Sequence, residues 1–426
     1  MIQEIKIRNF LSFKDEVKFS FEASNDKFAE DSQVVQINEN TRLLRFAIVY
    51  GYNASGKSNL LSVFDFLYDF WFYKPIDVYE ETGSIPFKFD KQTQNEPSSV
   101  ELIFYVDNTK YWYQLELDEH QIYMEKLYYY KSTQPTLLFD RKLDGDQSSL
   151  NFGSALKISN IVKESIAVNC LKNMSFFAAR NQVNASIPLI DAAKEWIKTK
   201  IAQTIFPHLD LTKYAQRKTS ENDQLTRYIL DFLKEADFNI SDIKTDKISP
   251  TKEDLMKQLL KTAAQMKAKE DVKAKEEINT RFRTNFEHTV ENERGTESYI
   301  LTSDYDEESR GTLRTFGLEA ALYNIIQANA FLAIDEIETS LHPKLLEKIL
   351  FEYLKTPSRS QLLVTTHNDG LLDLVDDLIR KDSVWFTEKD KAGVTDLYKL
   401  TDFRGVNRLS SIREAYRNKR FGATMK

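Results

Sequence analysis

Eight consecutive residues, Gly51-Tyr-Asn-Ala-Ser-Gly56-Lys57-Ser58, carry the spacing Gly-x4-Gly-Lys-Ser. Glycines at both ends let backbone N–H groups turn toward one point and approach phosphate oxygens closely. A helix opening at Lys57 adds its positive dipole end. The Lys57 ammonium is then placed for β- and γ-phosphates and the Ser58 hydroxyl for Mg²⁺, with Gly51, Asn53, Ser55, Gly56 and Asn59 completing the cradle. A second constellation is Phe331-Leu-Ala-Ile-Asp335-Glu336, an apolar run closed by two acids. Paired with a phosphate loop, Asp335 belongs in the Mg²⁺ shell and Glu336 beside the attacking water. A third is Thr366-His367, 32 residues beyond Asp335 and again at the end of an apolar run. His367 there is a candidate contact to the γ-phosphate. These residues point to ATP and Mg²⁺ as ligands and to phosphoryl transfer to water, with Lys57, Glu336 and His367 as its catalytic groups.

The flanking patterns supply the elements that must hold these groups. Arg45–Tyr50 is a compact apolar run ending at the loop, as a buried parallel strand requires. Asn59–Tyr73 has the length and apolar density of a helix. Ile2–Phe21 alternates with period two and reads as two strands joined near Ser12–Asp15. Val100–Phe139 is rich in Tyr and Phe, broken at Asp107-Asn108 and around Asp118–His120, and reads as an antiparallel meander. From about 190 to 290 the pattern turns helical, with helices expected at Asp191–Ile205 and Thr226–Ala236. Residues 251–279, with seven Lys against six acids, read as a solvated helix or short arm. From Ile300 onward helices (312–329, 343–354, 372–379) alternate with strands (330–334, 361–366, 383–387), which implies a mostly parallel sheet.

The fold class expected is therefore α/β, a mixed sheet with an antiparallel meander and a mostly parallel phosphate-loop core, carrying a helical insertion. The expected division is 1–190, 191–295 and 296–426. With 42% hydrophobic and 29% charged residues, the 426-residue chain has the composition of a folded globular protein. A net charge of −7 argues against coating nucleic acid through global electrostatics and leaves a local DNA groove open. No apolar stretch suits a signal peptide or a membrane span. The single cysteine, Cys170, excludes an intrachain disulfide, fits a reducing cytoplasm and reads as a small buried thiol.

The three constellations in this order, with the opening IKIRNFLSF, the loop GYNASGKSNLL and LAIDEIETSLHP followed by TTHN, resemble the ABC-type ATPases of the SMC/RecF group. That resemblance implies a signature motif about one helix before Asp335. Glu308-Ser309-Arg310-Gly311-Thr312 stands there, with Ser309 and Gly311 matching the motif's serine and glycine. Ser340-Leu341-His342-Pro343 matches its D-loop region, and its glutamine falls on Gln92, Gln94 or Gln114. In such ATPases the signature contacts ATP on the opposite subunit, so a head-to-head homodimer around two ATPs, or a higher even-numbered oligomer, is implied. A narrower resemblance rests on IPFKFD (85–90), SFFAARN (175–181) and YRNKRFGAT (416–424), which look like bacterial ATPases of the RloA/AbiL type. It implies a sensor or regulatory subunit in anti-phage, abortive-infection-like defence, controlling a separate nuclease or toxin. The related OLD-family nucleases append a Toprim domain. Only 59 residues follow His367, and Glu388 and Asp390 lack the rest of that constellation, so nuclease activity in this chain is not expected. A RecF-like DNA-repair ATPase is the alternative.

Overall fold

The computed structural model of the chain describes residues 1–424 apart from 146, 237, 249–280, 294 and 304–306. The expected helix or arm at 251–279 lies outside the described residues. The chain divides into two compact units, one comprising Met1–Pro207, Ile325–Thr339 and Leu350–Lys426, the other His208–Asn324 and Ser340–Ile349.

The first unit contains two main sheets. Seven antiparallel strands lie in the order Gln147–Phe152, Pro135–Asp144, Ile122–Tyr130, Thr109–Leu117, Ser98–Val106, Ile2–Arg8, Val17–Ser20. The expected meander is thus longer at one edge and takes the two opening strands at the other. Its register explains its stability. Phe19, Ile5, Leu102, Tyr113, Leu127 and Phe139 pair in succession across six strands, and each is fully buried. A one-residue slip would turn that whole row to the opposite face.

The second sheet has the order Phe331–Ile334, Gln361–Thr366, Phe46–Tyr50, Val384–Lys389, Thr395–Lys399. Its first four strands are parallel and the last is antiparallel. Phe46–Tyr50 is buried at every position, as expected for a strand covered on both faces. Ile201 and Ile205 make parallel bridges to Phe331 and Ile334 and so cover the outer edge of the strand leading to Asp335. The helix Lys57–Phe70 contributes Leu60, Leu61, Val63, Phe64 and Leu67 to one apolar cluster shared with both sheets. Gln361 joins the sheets by hydrogen bonds: its Oε1 accepts from the Ile2 amide at 2.6 Å, and its Nε2 donates to the Ile2 and Leu44 carbonyls.

The mixed α/β class is therefore observed, and two local readings are corrected. The region after 190 is not helical throughout. Besides the helices Pro188–Lys200, Thr212–Glu221 and Asp223–Glu235, the strands Ile240–Ile248, Arg281–Asn292 and Gly295–Thr302 form a three-stranded antiparallel sheet in the second unit. Its inner row pairs Ile243, Phe286 and Leu301. The expected helix at 372–379 is instead a short 3₁₀ turn, Asp369–Leu374, capped by the Asn368 side chain. Among the described residues, no helix is long and apolar enough to cross a membrane.

Candidate active site

Strand order decides which side chains can meet. The strand ending at Thr366 lies between the strand ending at Tyr50 and the strand ending at Ile334. The parallel register brings all three C-terminal ends to one edge, where ligands of open α/β sheets bind. The phosphate loop, Asp335-Glu336 and His367 all leave from that edge.

The loop is shaped by close approaches. A Cβ on Gly51 would lie 2.4 Å from Ser55 Oγ and 2.5 Å from Thr387 Oγ1, so only glycine fits. Gly56 has φ +108° and would meet Thr395 Oγ1 at 2.4 Å. Three hydroxyl side chains outside the expected set, Ser12, Thr387 and Thr395, brace this turn. Ser55 Oγ pairs with Thr387 Oγ1 at 2.7 Å, and Thr395 Oγ1 lies within hydrogen-bond distance of both Ser12 Oγ, at 2.8 Å, and the Ser55 carbonyl, at 3.0 Å. Asn59 Nδ2 donates to the same Ser12 oxygen at 2.6 Å, so its amide is tied to the scaffold. Asn53 and Ser58 are exposed at the mouth. The helix beginning at Lys57 has no side-chain cap and no acid in its first turn, leaving its first N–H groups for an anion.

Lys57 is buried, and its ammonium donates to the Gly51 carbonyl at 2.9 Å and the Tyr52 carbonyl at 3.3 Å. Burial holds its pKa below the ordinary lysine value, and the charges of Asp335, Glu336 and Glu338 partly offset that. The same Nζ lies 3.4 Å from His367 Nδ1, while His367 Nε2 lies 3.3 Å from Glu336 Oε1. An ammonium can only donate, so Nδ1 accepts and Nε2 carries the proton toward Glu336. Lys57, His367 and Glu336 thus form one chain of contacts. The His367 amide donates to Glu338 Oε1, which fixes the backbone there.

Asp335 is buried and receives a 2.5 Å hydrogen bond on Oδ1 from Thr365 Oγ1. That hydroxyl also accepts from the Glu336 amide at 2.8 Å. Glu336 has φ +44°, a left-handed conformation that a residue with a side chain holds at some cost, and it turns the carboxylate toward His367. Ser12, Thr365, Thr387 and Thr395 have no motif of their own and were missed in the sequence. Their only signal is that each is a polar residue inside or beside an apolar strand.

Ser309 and Gly311 belong to the second unit. Ser309 Oγ accepts from the Thr312 amide at 3.0 Å and caps the helix Arg310–Ala328. Glu308 Oε1 accepts from the Ser309 amide, and Glu308 Oε2 meets His288 Nε2 at 2.8 Å. A Cβ on Gly311 would lie 3.3 Å from the Ser340 carbonyl. The three candidate glutamines are engaged locally: Gln92 with Glu96, Gln94 with the Lys88 carbonyl, Gln114 with Glu101.

An uncapped helix N-terminus, a buried ammonium and a buried carboxylate facing a strand-end edge form a donor set that fits a magnesium nucleotide. Comparison with known families agrees. Residues 46–156 and 193–373, more than half of the chain, match the family described as "AAA domain, putative AbiEii toxin, Type IV TA system". The chain belongs to this family. Its match begins on the phosphate-loop strand and runs past His367, so it includes the phosphate loop, Ser309, Gly311, Asp335, Glu336 and His367. No curated protein matches the sequence. Among solved structures, the chain is similar to an SMC head bound to the C-winged helix domain of ScpA, with 12% identity, TM-score 0.44, and coverage of 98% of this chain and 99% of that one. It is also similar to the SMC head domain from Thermotoga maritima, with 12% identity, TM-score 0.38, and coverage of 93% and 98%.

Proposed function

We propose that the chain is an ABC-type, SMC/RecF-like ATPase that hydrolyses ATP with Mg²⁺ as a homodimer and regulates a separate effector in anti-phage defence. The observation that carries the ATPase reading is the imidazole of His367 placed between Lys57 and Glu336. Lys57 and the loop amides bind the β- and γ-phosphates, and Ser58 with Asp335 would hold Mg²⁺. The metal, when bound, supplies charge neutralisation at the phosphates. Glu336 orients a water and accepts its proton, and His367 fixes that carboxylate while contacting the γ-phosphate region.

Ser309 and Gly311, exposed or half-exposed at a helix start, are the surface offered to ATP bound by a partner subunit. Support for the defence role is the family description, which names an AbiEii-type toxin of a type IV toxin–antitoxin system, together with the YRNKRFGAT resemblance. Phosphate release from Mg-ATP by the wild type and by Lys57→Ala, with molar mass measured in each nucleotide state, tests the first half. Turnover unaffected by Lys57→Ala would remove the site from the reaction. Co-purification of a nuclease or toxin partner tests the second half.

One observation favours the DNA-repair alternative. Arg404, Arg408, Lys419 and Arg420 are all exposed within residues 403–424 of a chain whose net charge is −7. Salt-sensitive DNA binding that stimulates turnover would move the reading from defence to repair.

A further inference from the structure

A groove of about 450 Å³ runs along the helix Lys57–Phe70, and two members of the apolar cluster, Phe10 and Phe70, are part of its lining. Phe66, Phe70, Tyr73 and Ile85 give it apolar walls, and a 2.8 Å hydrogen bond from the Leu11 amide to the Ile85 carbonyl fastens one wall to the other. The segment that follows the helix continues this character. Tyr73, Ile76, Tyr79, Ile85 and Phe89 leave 46%, 69%, 85%, 40% and 77% of their surface to water. Few monomeric proteins concentrate so much exposed apolar surface in 17 residues unless something covers it.

The charged groups of the groove are all acceptors. Asp65, Asp69 and Glu81 line it, and among the described residues no Lys, Arg or His does. Burial pushes the carboxyls of Asp65 and Asp69 above the usual carboxylate range, and Asp69 adds repulsion at Asp65. Asn173 is an independent sign. It is 4% exposed, and its Nδ2 donates to the Asp77 and Glu80 carbonyls at 2.9 Å each. Those two bonds fix which end of the amide is oxygen, and that Oδ1 has no hydrogen-bond partner among the described residues. A buried acceptor without a donor is costly, so it marks a place where a donor is missing.

We propose that this groove docks a segment of a partner protein carrying Lys or Arg among apolar side chains. Three carboxylates and an orphan carbonyl match such a segment in charge and in hydrogen-bond sense, and they repel an acidic one. The groove also touches the nucleotide loop. Ser62, in its lining, donates to the Ser58 carbonyl at 2.9 Å, and Leu11 precedes Ser12, which holds Asn59 and Thr395. An occupant is therefore one hydrogen bond from the phosphate cradle. That the occupant is the effector rests on the regulatory reading above; the groove itself rests on its own residues.

The test uses fluorescein-labelled amphipathic peptides of about 14 residues, one Leu/Lys and one Leu/Glu, titrated with the full chain by anisotropy. The Leu/Lys peptide is expected to bind saturably and about tenfold more tightly than the Leu/Glu peptide. The near-isosteric D65N/D69N variant should lose about tenfold in affinity for it while keeping its melting temperature and basal turnover. Glu81→Gln, at an exposed position, gives a second and milder loss should that variant fold poorly. Equal binding by wild type and variants, or equal binding of both peptides, overturns the proposal. So does a wild-type dimer that forms without nucleotide and is dissolved by Tyr73→Glu, since a second copy would then fill the groove. Phosphate release is read in the same samples. Peptide binding without turnover sinks the ATPase reading alone, and turnover without peptide binding sinks the groove alone.

Discussion

Thr365 donates a 2.5 Å hydrogen bond to Asp335 across two adjacent parallel strands, and the same oxygen accepts from the next residue's amide. One hydroxyl therefore sets both the rotamer of the proposed metal ligand and the backbone that carries Glu336. Neither residue could hold its position through sequence neighbours alone, since the chain turns left-handed at Glu336.

Replacing Thr365 by Val keeps the volume and removes both bonds. Supporting groups of this kind are worth about 10–100-fold in metal affinity or activity. Thr365→Val should lower turnover by that factor and shift its Mg²⁺ dependence to higher concentration, with Thr365→Ser restoring both. A loss of turnover at unchanged Mg²⁺ dependence would make Thr365 a packing residue only.

His367 lies between an ammonium and a carboxylate, so its main part in the proposed reaction is to hold Glu336. His367→Ala should leave ATP affinity within a few-fold and cut turnover by about 10²-fold, the range of a lost acid–base or orienting group. Single-turnover phosphate release beside equilibrium nucleotide binding separates the two. A parallel loss of binding would place His367 in the cradle and not in the hydrolytic step.

Much of this site was legible from spacing. Gly51, Gly56, Lys57 and Ser58 are recognisable because a phosphate turn constrains consecutive residues, and Asp335-Glu336 because acids close an apolar strand. Their braces were not legible. Thr387 and Thr395 reach Ser55 from strands more than 330 residues away, and only the order of strands in the sheet brings them there. The meander was visible through its period-two rows. The sheet built from Ile240–Ile248 and Arg281–Asn292 was not. Phe282, Thr284, Phe286 and His288 do alternate, but Arg, Asn and Glu between them suggest a solvated helix as readily. Their partner strand lies beyond a charged stretch that separates the two in sequence.

Glu336 is the proposed acceptor of the water's proton, and a glutamine of the same shape cannot take it. Glu336→Gln should reduce turnover by about 10³-fold and retain ATP binding. Because the ATP-bound state is the one that pairs subunits in this reading, the variant should run as a dimer with ATP and a monomer without it. Light scattering after size exclusion reads this directly. Wild-type turnover, or a monomer in saturating ATP, removes Glu336 from the role.

Lys57 links the site to pH. Burial in the free protein holds its pKa below the ordinary value, whereas phosphates beside it favour the charged form and raise it. Between these two values the free protein holds fewer protons than the complex, so binding must take up a proton there. Affinity for ATP should be level below the lowered free-state value and fall as pH rises through it, ahead of the ordinary lysine range. Titration calorimetry at alkaline pH in two buffers of different ionisation enthalpy checks the uptake, which Lys57→Met should abolish. The linkage also acts on the fold. With the native pKa depressed, the unfolded chain binds the extra proton, so this residue's destabilising share shrinks as pH rises through the same window. No proton uptake on nucleotide binding would mean that Lys57 keeps its ordinary pKa in the free protein.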